Sequence, residues 1–239
     1  MLPIEELREE IARRQQFTMM VAHEMRNLLA PLTSEVELLA SADTAATFRV
    51  RPAIARQVAQ MTRLVDDLVD LASSEQGRMS LRIASLDLRD VITAAIDIAQ
   101  PTIAARGHRL TLAPTQPDPA VIDGDHGRLT QVLSNLLINA AKFTPNCGDI
   151  CVLLEHETPY VKMCVRDTGI GIAADMLPNI FNVYVRSARE PDGTRGGLGL
   201  GLAVARHLVE LHGGTLRAYS GGPGMGSEFV LRLPVAVTC

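Results

Sequence analysis

The chain has 239 residues, room for one large domain or two small ones, and its 47% apolar against 21% charged residues excludes disordered, collagen-like and disulfide-framework classes. A formal charge of −4 without a concentrated basic face argues against nucleic-acid binding, which needs clustered Lys and Arg to neutralise phosphates. Aromatics are only 3%, with no Trp, so the core must be aliphatic.

Residues 2–77 read as two long helices. In the first, Ile4, Ile11, Thr18, Met25, Leu32 and Leu39 alternate with Leu7, Arg14, Val21, Leu28 and Glu35, a heptad repeat imperfect at Arg14, Thr18 and Glu35. In the second, Ile54, Val58, Met61, Val65, Leu68 and Ala72 form a seam, and residues 41–47 supply a polar turn between the helices. A lone hairpin leaves apolar surface wet, so this segment is expected to pair with a second copy as a homodimeric four-helix bundle through residues 1–77.

Gly77 suits the left-handed position after a helix and marks a domain boundary, with a linker at 78–86 and a second domain at 87–239. There, β-rich runs (81–84, 109–113, 150–155, 161–166, 215–219, 227–233) alternate with helical stretches near 87–105, 125–141 and 199–212, which predicts a two-layer α/β sandwich. Residues 173–197 lack periodicity and are expected to include a mobile loop. No stretch approaches the roughly 18 apolar residues of a membrane span, and no sensory or receiver domain is read, so a cytoplasmic chain is expected. Cys147, Cys151, Cys164 and Cys239 lack zinc spacing and are expected as buried small residues in a reducing compartment.

Four features carry chemistry. His23 falls on the face away from the heptad seam, beside Glu24, with Asn27 four residues on over the same face. An exposed imbidazole ring of this kind is a nucleophile that a carboxylate can orient, although a solvated surface histidine would look the same. Pro31 should bend that helix one turn beyond His23. Next, Asn135, Asn139 and Lys142 recur on one helix face; amide oxygens are fair ligands for a divalent cation and Lys a point charge for phosphate, while an ordinary solvated face has similar residues. Finally, Asp167, Gly169 and Gly171 form an Asp-x-Gly-x-Gly turn whose carboxylate can accept from an amino group such as that of adenine. Gly197, Gly199 and Gly201 precede a helix whose amides can cradle polyphosphate.

Taken in order, these features resemble the transmitter core of sensor histidine kinases. Residues 17–32 resemble the phospho-acceptor box, 135–143 the asparagine box, 167–171 and 197–202 the two glycine boxes, 180–184 the phenylalanine box and 224–229 the last glycine-rich turn. Leu28 stands where the family usually has a proline, and Val183 and Tyr184 replace a common Pro-Phe pair. The resemblance implies an ATP-binding second domain of the gyrase type, with Asn139 on Mg²⁺, Asn135 and Lys142 near the phosphates and Asp167 on the adenine amino group. Gly169 and Gly171 would shape the base pocket, and Gly197, Gly199 and Gly201 the phosphate side and lid hinge. His23 would take the γ-phosphoryl group with help from Glu24 and pass it to an aspartate on a response-regulator receiver domain. Asn27 would support dephosphorylation of that regulator. The alternatives are a nonenzymatic phosphorelay or scaffold dimer of the same fold, and a gyrase- or chaperone-like ATPase.

Overall fold

A computed structural model describes residues 4–41, 44–75, 79–113, 120–183, 185 and 199–236. The chain divides into two compact units, residues 1–73 and 74–239.

The first unit is two helices, α1 (Ile4–Ser41) and α2 (Thr44–Glu75). Neither contains a glycine, and their Leu, Ala, Arg, Gln and Glu content favours the helix. Residues 44–47, expected in the turn, already belong to α2. Helix α1 runs through Pro31; the Thr33 and Ser34 hydroxyls donate to the carbonyls of Leu29 and Ala30 in that turn. Val21, Met25, Leu28, Leu32 and Leu39 are buried or half-buried, as the heptad reading requires. On α2 the inward stripe is Ile54, Gln57, Met61, Leu64 and Leu68, whereas Val58, Val65 and Ala72, expected in the seam, are exposed. Two apolar stripes lie side by side on α2, and the expected seam mixed members of both.

The second unit contains β1 (Ala84–Asp87), α3 (Leu88–Ala105), β2 (Arg109–Leu112), β3 (Val121–Gly124), α4 (His126–Phe143), β4 (Asp149–Glu157), β5 (Tyr160–Asp167), α5 (Gly201–Leu211), β6 (Thr215–Tyr219) and β7 (Ser227–Pro234). Residues 84–86, expected in a linker, form most of β1, which pairs antiparallel with the unexpected β3. The remaining strands make a mixed sheet in the order β2-β4-β5-β7-β6, with only β2 and β4 parallel. Strand alternation sorts its two faces. Ile150, Val152 and Leu154 of β4, Val161, Met163 and Val165 of β5, and Phe229, Leu231 and Leu233 of β7 are buried in one core with the apolar sides of α3, α4 and α5. The intervening positions carry cross-strand ion pairs: Arg109–Asp149, Lys162–Glu155, Arg166–Glu228 and Arg232–Glu157, at 2.7, 2.9, 2.9 and 2.9 Å. The result is a two-layer α/β sandwich.

The cysteines do not all follow expectation. Cys164 is buried, and burial pushes its thiol up to about 11, so it is an inert core residue. Cys151 is half-buried, but Cys147 is exposed in the α4–β4 turn at φ +63°. Gly77, Cys239, Tyr184 and most of the expected loop after residue 185 lie outside the described residues.

Candidate functional site

Three segments of the second unit meet around Asp167. It ends β5 opposite Ile150 on one side and Ser227 on the other, on the core-facing side of the sheet, which leaves the residue 6% exposed. One carboxylate oxygen accepts from the backbone N–H of Gly169 at 2.7 Å and of Ser227 at 3.2 Å, and the other from the Ser227 hydroxyl. Burial pushes the carboxyl above its ordinary range, and these three donors pull it partly back. A buried carboxylate oxygen with a spare lone pair can accept from a donor group brought against it.

The two glycines of the turn have different reasons. A Cβ on Gly169 would lie 2.6 Å from both the Phe143 carbonyl and Asp167 Oδ1. Gly171 has φ +70°, and a Cβ there would overlap the Gly222 carbonyl. Backbone bonds close this contact: Ile170 N–H to Phe143 O at 3.0 Å, Gly224 N–H to Ile170 O at 2.7 Å, and Gly226 N–H to Gly169 O at 3.1 Å. The C-terminus of α4, the 167–172 turn and the β6–β7 loop therefore form one wall.

Helix α4 carries Asn135, Asn139 and Lys142, all half-buried on one stripe. The Asn135 amide donates to the Gly201 carbonyl at 3.4 Å, which sets the start of α5 against α4. Gly199 has φ +70° and so favours glycine, while a Cβ on Gly201 would meet Asn135 at ordinary contact distance. Gly197 lies outside the described residues. The far ends of the two helices are clasped as well. The His212 ring donates from Nδ1 to Leu208 O at 2.7 Å and accepts at Nε2 from the Asp125 N–H at 2.9 Å. Asp125 caps α4, accepting from the Arg128 N–H at 3.1 Å and the Arg82 N–H at 2.9 Å. Burial acts to raise the Asp125 carboxyl, but these N–H groups, with that of Gly127 and the Arg128 charge, hold it below the ordinary range.

The first unit presents a simpler arrangement. His23 is exposed, as expected, and the Asn27 amide lies 3.1 Å from its Nδ1 on the same helix face. The Glu24 side chain lies outside the described residues.

Sequence reasoning missed Ser220, Ser227, Asp125 and His212 as parts of the site. Asp125 alone had a local signal, a helix-capping carboxylate before Gly127 and Arg128. Among the described residues no group of three or more His, Cys, Asp and Glu could hold a metal ion.

Residues 13–77 match the family described as "His Kinase A (phospho-acceptor) domain", and residues 124–237 match "Histidine kinase-, DNA gyrase B-, and HSP90-like ATPase". The chain is 32% identical over 225 residues to the sensor-like histidine kinase SenX3 of Mycolicibacterium smegmatis, covering 93% of this chain and 58% of that protein. It is 29% identical over 222 residues to the signal transduction histidine-protein kinase BaeS of Escherichia coli K12, covering 93% and 47%. Its fold is similar to that of full-length ShkA solved in complex with AMPPNP, with a TM-score of 0.67 and 27% identity over 94% of this chain and 46% of that one. The chain thus spans about half the length of the curated relatives it matches. With a phospho-acceptor domain followed by an ATP-using domain of the gyrase type, it belongs to the histidine kinase family and carries the family's transmitter core.

Proposed function

We propose that the chain is an ATP-dependent protein-histidine autokinase that phosphorylates His23 and passes the group to an aspartate of a response-regulator receiver domain. The observation that carries this reading is the pairing of an exposed imidazole, held at Nδ1 by Asn27, with a second unit whose buried Asp167 offers an acceptor for an amino-bearing base. On this reading Asp167 binds the adenine amino group and the Gly169–Gly171 turn lies against the ring. Asn135 and Lys142 sit at the phosphates, and Gly197, Gly199 and Gly201 form their backbone cradle and lid hinge.

The donor set fits Mg²⁺, which Asn139 would hold through its amide oxygen; bound there, the ion would offset the phosphate charge. The ring chemistry is specific. Where the Asn27 NH₂ donates to Nδ1, the ring proton is on Nε2 and blocks attack, so the orientation of this amide sets which ring nitrogen is free. Turning the amide brings its oxygen against an Nδ1–H and frees the Nε2 lone pair. Nε2 then bonds to the γ-phosphorus as the bond to the ADP oxygen breaks, and the Nδ1 proton leaves through Glu24 or solvent.

Residues 1–77 serve as the dimerisation domain, since Leu29, Val36, Val58 and Val65 are left exposed on the isolated hairpin. Among the described residues no helix is long and apolar enough to cross a membrane, and a cytoplasmic site of action suits an ATP-fed reaction. On the same reading Asn27 would orient water against a docked regulator's phosphoaspartate, adding a phosphatase activity. Incubation with ATP labelled at the γ-phosphate and Mg²⁺ should yield acid-labile, base-stable labelled protein. His23→Gln should abolish the label; undiminished labelling of that variant would overturn the assignment of His23.

A further inference from the structure

We propose that Ser220 is a positioning residue for the nucleotide base: its hydroxyl locks the β6–β7 loop onto the 167–172 turn and so holds the base wall closed. The inference rests on the ATP-binding reading of Asp167 and goes beyond it, since Ser220 lies outside every motif that identified the site.

The geometry is that of a hub. Ser220 Oγ accepts from the Ile172 N–H at 3.0 Å and from the Gly222 N–H at 3.3 Å, and lies 2.7 Å from the Gly226 carbonyl, to which it donates. A weaker approach to the Gly222 carbonyl is at 3.4 Å. One half-buried hydroxyl thus ties together the segment just after Gly171 and both ends of the glycine-rich 221–226 loop. That loop has no apolar side chain of its own to hold it: Met225 is 72% exposed and Gly222, Gly224 and Gly226 all have positive φ. Four-glycine segments of this kind are costly to order, so their fixed form depends on hydrogen bonds that close them.

The loop position decides the base wall because its Gly222 and Gly226 are in backbone contact with Gly171 and Asp167. The Gly222 carbonyl lies against Gly171, and Gly226 sits against the Asp167 carbonyl, immediately before Ser227. Ser227 is the residue that donates twice to the Asp167 carboxylate. If the 220–226 loop drifts, Ser227 and the carboxylate drift with it. Ser220 therefore acts on the base through Asp167 and not by touching it.

The test compares Ser220→Ala and Ser220→Thr with the wild-type chain by calorimetric titration with Mg·ATP and with Mg-tripolyphosphate, which lacks the base. Losing two net hydrogen bonds of about 1 kcal/mol each predicts a roughly ten- to thirtyfold weaker ATP affinity in Ser220→Ala. Tripolyphosphate affinity should stay within about twofold, and Ser220→Thr, which keeps the hydroxyl, should restore most of the ATP affinity. In autokinase assays the KM for ATP should rise while kcat at saturation holds. Unchanged ATP affinity in Ser220→Ala, or an equal loss for ATP and tripolyphosphate, would overturn the role of Ser220. A wild-type chain that fails to bind Mg·ATP at all would instead overturn the underlying reading of Asp167.

Discussion

The two chemical centres of this chain are built in opposite ways. His23 stands exposed on a long helix with one amide beside it, whereas Asp167 is buried and gripped by three donors from two segments. On the proposed reading, a group that takes a phosphoryl group from ATP and surrenders it to a receiver domain has to remain accessible. A group that recognises a base gains from being fixed in advance, because an ordered acceptor costs nothing further on binding. The surroundings differ as well: along the hairpin Leu29, Val36, Val58 and Val65 are exposed, while the sandwich has a contiguous aliphatic core under its helix layer and cross-strand ion pairs on the opposite sheet face.

The comparison is sharpest where the hairpin is emptiest. If its exposed stripe is reserved for a second copy, Val58→Glu combined with Val65→Glu should convert the dimer to a monomer at micromolar concentration. The cost is several kcal/mol per dimer, since apolar burial is lost and carboxylates are forced into the interface. Sedimentation velocity measures this, and an unchanged dimer would mean that the stripe faces something else. The helicity of the monomer should fall as well, because an isolated hairpin lacks most of its burial.

At the other centre the expected effect is large on binding and small on stability. Asp167→Asn replaces an acceptor by a group that also donates, and ATP affinity should fall by roughly a hundredfold, about 2.7 kcal/mol. Burial raises the folded-state pKa of Asp167 above its unfolded value, so its contribution to folding is fully present below the unfolded pKa and is lost as pH rises through the folded one. Ionising this carboxyl therefore works against folding, and Asp167→Asn should keep or raise Tm while binding collapses. A variant that both unfolds and loses ATP would show Asp167 to be structural instead. Asp125 has the reverse sign. Its lowered pKa makes its contribution present above the unfolded carboxylate range and lost as pH falls through the folded value.

The helix clasp behind the site comes next in size. His212→Ala removes the acceptor of the Asp125 N–H and the donor to Leu208 O and leaves a gap under Gly124. Chemical denaturation should show a loss of about 2–3 kcal/mol in the second unit. Loss confined to stability, with ATP affinity kept at low denaturant, would show that the clasp supports the fold without tuning the site.

What was legible in the sequence follows from the range over which each feature acts. The Asp167–Gly171 turn, the α4 stripe and the His23–Asn27 pair are local patterns, each contained within one turn or one helix face. The long β4, β5 and β7 strands were visible through their alternating apolar residues. Missed features join distant segments: Ser220 reaches Ile172 across 48 positions and His212 reaches Asp125 across 87. No periodicity encodes such a bond, because a serine after a strand and a histidine after a helix have many ordinary uses. β3 escaped for another reason: four residues ending in Asp123-Gly124 carry too little alternation to stand out from a turn. The α2 seam went astray because Val58 and Val65 are as apolar as the residues that do face inward; only packing against α1 decides between two stripes.

The smallest effect tests the loosely held centre itself. If Asn27 selects the ring tautomer of His23, its replacements should sort by what they offer Nδ1. Asn27→Asp presents only acceptors, holds a proton on Nδ1 and leaves Nε2 free, so the initial rate of autophosphorylation should be kept or rise slightly. Asn27→Leu offers nothing, leaves the tautomers to their intrinsic balance, and should slow the reaction by only a few-fold, in line with one exposed hydrogen bond of about 1 kcal/mol or less. Equal rates for the two variants would mean that solvent, and not Asn27, sets the proton on the ring. A loss of many orders of magnitude in either would mean that the centre is held as tightly as Asp167, and the contrast between an accessible acceptor and a fixed base site would fail.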